Sequence, residues 1–81
     1  MTARDEVLAA STELADRALD GTFTVEEVVD TLRRRGSKYK ASTIRTHVTS
    51  RMCANAPDNH AVTYRDLVRV GDGRYRLNTD A

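Results

Sequence analysis

Between Ser42 and Cys53 the chain reads Ser-Thr-Ile-Arg-Thr-His-Val-Thr-Ser-Arg-Met-Cys, a run rich in side chains able to make specific polar contacts. Wound as a helix, it stacks Ile44, Val48 and Met52 in one column and puts Ser42, Arg45, Thr46, Thr49 and Ser50 on the other side. One face is apolar, and the other carries short hydroxyls and an arginine. Hydroxyls reach phosphates or base edges without bulk, and a guanidinium forks onto a guanine edge, so the outer face suits a nucleic-acid groove.

Other chemistries find less support. Cys53 is the single cysteine, which excludes an internal disulfide, and a metal site would need it together with His47 and His60. On a helix Cys53 lies about 120° from His47, so the two do not face one ion. His47 sits beside Ile44 and Val48 and reads as a partly buried helix residue with a backbone partner. Nucleophilic attack by Cys53 would require a nearby base and an orienting group, and no acid occurs from Ser37 to Pro57. The four glycines mark stops and turns, not a phosphate-cradling loop. The expectation is a chain that is not an enzyme and carries no metal or cofactor.

With 81 residues, 40% hydrophobic and 31% charged, the composition is that of one ordinary soluble domain with a modest core. No apolar run is long enough to span a membrane and no hydrophobic signal follows Met1, so a cytoplasmic location is expected. The net charge of +1 is uninformative, but its distribution is not. Residues 1–30 hold two basic against eight acidic side chains, a net of −6, and residues 31–81 hold eleven against four, a net of +7. Such asymmetry produces one positive face.

The elements that must position the Ser42–Cys53 run are legible in order. A first helix over about 3–20 begins at Thr2, with Asp5 and Glu6 in its first turn, and stops at Asp20-Gly21. Its apolar stripe includes Val7 and Leu14 and is widened by Leu8, Ala15 and Leu19, which leaves dimerisation through this helix open. Thr22-Phe23 is short and extended, suited to joining a later hairpin. Thr24-Val25-Glu26-Glu27 forms a capping box, and Phe23 stands before the cap opposite Val28 as a hydrophobic staple. Helix two therefore runs over about 25–35, buries Val25, Val28, Val29 and Leu32, ends in Arg33, Arg34 and Arg35, and is closed by Gly36.

A basic connector containing Lys38, Tyr39 and Lys40 leads to Ser42, expected as the N-cap of a third helix over about 43–53. The β-branched content of this run also permits an alternating strand, but the capping serine, the length and the lack of an internal turn residue favour helix. The segment around Pro57, Asn59 and His60 reads as loop. From about 64 to 78 the period changes to two, with Gly71-Asp72-Gly73 between two strands. A three-residue loop would mix apolar and basic faces. A two-residue type I′ turn at Asp72-Gly73 pairs Val70 with Tyr75, Val68 with Leu77 and Arg69 with Arg76, keeping apolar against apolar. Arg69 and Arg76 would then oppose each other on the outer face, an unfavourable pairing that an anion such as a phosphate backbone would relieve.

Helix, short extended piece, two more helices and a hairpin: in this order the chain resembles the winged helix-turn-helix DNA-binding domains, an α+β fold. The resemblance implies that Ser42–Cys53 enters the major groove while the hairpin, as the wing, lies along the backbone or in the neighbouring minor groove. Base-edge contacts would fall to Arg45, Thr46, Thr49 and Ser50, and phosphate contacts to Lys38, Lys40, Ser42, Thr43, Arg69, Arg74 and Arg76. The expected partner is double-stranded DNA, read by a small bacterial or phage transcriptional regulator or by the DNA-recognition subunit of a larger restriction or defence system. A winged-helix protein-interaction module is the alternative; it would need an apolar outer patch, whereas the exposed positions here are hydroxyls and arginines. Duplex DNA is preferred to RNA because Tyr39 and Tyr64 are the only visible candidates for stacking on unpaired bases.

Overall fold

The computed structural model describes residues 2–55 and 64–79. The loop expected around Pro57 and His60 lies outside the described residues. The elements run α1 (Ala3–Arg17), β1 (Thr22–Thr24), α2 (Val25–Arg34), α3 (Ala41–Thr46) continued by a π-helical turn (His47–Arg51), β2 (Leu67–Gly71) and β3 (Arg74–Leu77). The strands form one antiparallel sheet in the order β1-β3-β2. Three helices with a sheet built from a short first strand and a C-terminal hairpin make this an α+β winged-helix layout.

Local chemistry explains the first two helices. Thr2 and Asp5 make a complete capping box at α1, and Thr24 with Glu27 makes another at α2. At the far end of α2 the Ser37 N–H donates to the Leu32 carbonyl at 3.0 Å and the Gly36 N–H to the Arg33 carbonyl at 3.1 Å. These are the two bonds of a Schellman motif, which requires the left-handed φ of 76° that Gly36 supplies. Helix α1 ends at Arg17, earlier than the expected stop near Asp20. Asp20 instead accepts from the Thr22 N–H at 3.0 Å and the Thr22 hydroxyl at 2.9 Å, an Asx-type turn that releases the chain into β1. Leu8 and Ala15 pack against the core, while Leu19 lies beyond the helix, fully exposed, so the three do not share one helical face.

Helix three departs further from expectation. Its N-cap is Lys40, with no side-chain cap, and Ser42 sits inside the first turn. The shift draws Ala41 into the helix, where it packs against the core. After Thr46 the helix widens, and the Met52 N–H reaches back five residues to the His47 carbonyl at 2.8 Å. The expected column is nonetheless buried: Ile44, Val48 and Met52 join Val28, Leu32 and Phe23 in the core.

The hairpin keeps Gly71 opposite Arg74 but shifts register beyond it. Arg69 pairs with Tyr75, Val68 with Arg76 and Leu67 with Leu77, leaving Val70 as an extra residue. Thus Arg69 and Arg76 do not oppose each other, which corrects the expected pairing. The cause lies in the turn: only Gly73 has a positive φ, 68°, so Asp72-Gly73 is not type I′, and the bulge at Val70 supplies the twist the turn does not. The bulge also changes which residues face inward. Leu67 and Tyr75 are buried with Phe23, while Val70 is 45% exposed.

β2 is tied to the end of helix three. The Leu67 N–H donates to the Met52 carbonyl and the Ala54 N–H to the Leu67 carbonyl, both at 2.8 Å. Asn55 then takes the next step along the strand, accepting from the Arg69 N–H at 2.9 Å and donating to the Arg69 carbonyl at 3.0 Å. On the opposite flank Arg4 of α1 forks onto Asp66 at 2.9 and 3.0 Å beneath the Tyr64 ring. Among the described residues no helix is long and apolar enough to cross a membrane.

Candidate nucleic-acid interface

With Ile44 and Val48 buried, the opposite side of α3 is turned outward, and Ser42, Arg45 and Thr46 are exposed on it. Thr49 and Ser50 are half-buried at the margin. The hydroxyls are partly committed. Thr46 donates to the Ser42 carbonyl at 2.9 Å and Thr49 to the Arg45 carbonyl at 2.8 Å. A hydroxyl that donates inward presents lone pairs outward, so in this rotamer it suits base donors such as the amino groups of cytosine or adenine, and a phosphate contact requires it to rotate.

Arg45 is exposed but held. Its Nε donates to Glu26 Oε2 at 3.0 Å and its Nη2 to Oε1 at 2.9 Å. This hydrogen-bonded pairing raises the guanidinium further above its ordinary range and holds the Glu26 carboxyl below the usual carboxylate range. The acidic start of α2 therefore reaches the side of helix three expected to meet DNA, a contact that the charge count by segment had placed elsewhere.

The flanking cations divide into two groups. Lys38 and Lys40, both exposed before α3, have no carboxylate partner among the described residues; Lys38 Nζ stands 5.5 Å from the centre of the Tyr39 ring. Thr43 is half-buried, its carbonyl taken by His47 Nδ1 at 2.8 Å, the backbone partner expected of that histidine. On the hairpin, Arg74 and Arg76 share one face of β3, where Arg74 donates to the Thr22 hydroxyl at 3.1 Å. Arg69 lies on the other face with Tyr75 and is drawn to Asp72 at 3.1 Å. The arginines of the hairpin thus do not form the single outer face expected of them.

Three residues were not assigned to this region from sequence. His47 and Arg51 join Ser42, Thr43 and Thr46 around one shallow depression on helix three. The spacing Thr43, His47, Arg51 repeats every four residues and was available as a signal. Asn55 was not legible, because its role depends on a strand that arrives fourteen residues later. Among the described residues no group of three or more His, Cys, Asp or Glu is placed to hold a metal ion, and Cys53 is buried.

No curated protein and no solved structure matches the chain. A family model does, over residues 8–77. That span covers most of the described fold, from the second turn of α1 to the end of β3, and its family is described as a domain of unknown function (DUF7669), to which this chain belongs.

Proposed function

We propose that this domain binds double-stranded DNA in a sequence-dependent way, with helix three in the major groove and the hairpin against the backbone. The observation that carries the reading is the outer side of α3: Ser42, Arg45 and Thr46 exposed over a buried apolar column and preceded by Lys38 and Lys40, which no carboxylate neutralises among the described residues. Base contacts are assigned to Arg45, Thr46, Thr49 and Ser50. Phosphate contacts are assigned to Lys38, Lys40, Ser42, Thr43, Arg74 and Arg76, with Arg69 joining once it leaves Asp72. Such a domain serves a transcriptional regulator or the recognition part of a larger assembly.

Selection of bound duplexes from a random pool, followed by salt titration of the winners, tests this. With about four to seven phosphates neutralised, the slope of log affinity on log salt is expected at roughly −4 to −6. A flat response rejects the reading. Arg76→Ala is expected to weaken all duplexes alike and to lower the slope by about one. The second reading, a protein-interaction module, draws on the carboxylates that occupy Arg45 and Arg69; a folded protein that selects no duplex favours it.

A further inference from the structure

The first turn of α2 carries two acids with different commitments. Glu27 closes the capping box, its Oε1 accepting from the Thr24 N–H at 2.7 Å. Glu26 instead crosses to helix three and takes the Nε and Nη2 of Arg45. Among the described residues no other carboxylate bonds to a side chain of Ala41–Arg51.

We propose that Glu26 is a positioning residue for base recognition: it holds one edge of the Arg45 guanidinium so that the terminal edge is presented to a guanine. The inference rests on the DNA-binding reading. A guanidinium has five N–H donors in a rigid plane. The carboxylate takes the Nε–H and one Nη2–H, which leaves the other Nη2–H and both Nη1–H donors. One pair of these points forward in parallel, the arrangement that meets the O6 and N7 acceptors of guanine. Holding the side chain beforehand also reduces the rotamer freedom lost on binding. The pair stays ionised at neutral pH, since Arg45 holds the Glu26 carboxyl below its ordinary range.

The same carboxylate repels the phosphate backbone of any sequence. Glu26 therefore has two separable effects, lower affinity for DNA in general and sharper choice of base at one position. A residue that only stabilised the fold would alter neither, and one that only repelled DNA would alter the first alone.

The test measures binding by wild type, Glu26→Gln, Arg45→Ala and the double variant to the selected duplex, to the same duplex with single guanines replaced, and to an unrelated duplex. Wild type is expected to prefer guanine at one position by about tenfold or more. Glu26→Gln should reduce that preference severalfold while binding the unrelated duplex more tightly. Arg45→Ala should remove the preference, and adding Glu26→Gln to it should change the preference no further. Equal gains on every duplex with the preference intact, or no change on any, would overturn the positioning role while leaving the DNA-binding reading in place. A folded wild type that binds no duplex removes the reading itself. Thermal unfolding of each variant establishes that the compared proteins are folded.

Discussion

Helices two and three pack against each other and are held by different means. α2 carries a reciprocal cap at its start, a Schellman closure at its end and four buried residues. α3 starts without a side-chain cap, widens into a π-helical turn, and bends Thr46, His47 and Thr49 back onto its own carbonyls. Such back-bonding competes with the helical ladder, and the β-branched content of the segment lowers its intrinsic helicity. What keeps α3 helical is the burial of Ile44, Val48 and Met52. Helix two is specified by neighbours in sequence and helix three by neighbours in space.

The largest effect that tests this contrast comes from the core. Met52→Ala and Leu32→Ala are each expected to cost about 2–5 kcal/mol by denaturant unfolding, since both side chains are fully buried. If helix three depends more on packing, the Met52 variant should also lose hydrogen-exchange protection across Ala41–Arg51 before the rest unfolds. Retained protection there would break the comparison.

A smaller effect separates the two helix starts. Thr24→Ala removes a real cap and should cost about 1 kcal/mol. Ser42→Ala removes none and should leave the unfolding midpoint unchanged while weakening DNA binding. A stability loss at Ser42 equal to that at Thr24 would erase the distinction.

Acid titration gives the smallest effect. Arg45 lowers the Glu26 carboxyl from its ordinary 4.5, and Thr2 lowers that of Asp5 from 3.8, each through hydrogen bonds. A carboxyl whose folded value is depressed contributes its stabilisation in full above the unfolded value and loses it as pH falls through the folded one. Thermal midpoints should therefore hold steady down to about pH 5 and decline below it, less steeply in Glu26→Gln. An identical decline in that variant would show that the tie between the two helices adds nothing.

What could be read from sequence divides along the same line. The capping box at Thr24, the stop at Gly36 and the buried column of helix three follow from local spacing, and the structure has all of them. The lysine cap, the π-helical turn and the bulge at Val70 do not follow from that spacing. Ala41 enters the helix and packs against the core, and past the bulge Leu67 and Tyr75 are buried with Phe23. The candidate site was legible as a set of residue types on one side of a helix. Its electrostatics were not, since Glu26 precedes Arg45 by nineteen residues and meets it only through packing.

The bonds that join β2 to the end of helix three have a further consequence. Strand β2 ends the sheet, and a terminal strand with free N–H and C=O groups invites a strand from another molecule to add on. Here Met52 and Ala54 occupy the outward groups of Leu67, the Asn55 amide occupies those of Arg69, and the bulge that follows twists the backbone away. The sheet is sealed on that side along Leu67 and Arg69, so the hairpin offers no template for polymerisation there.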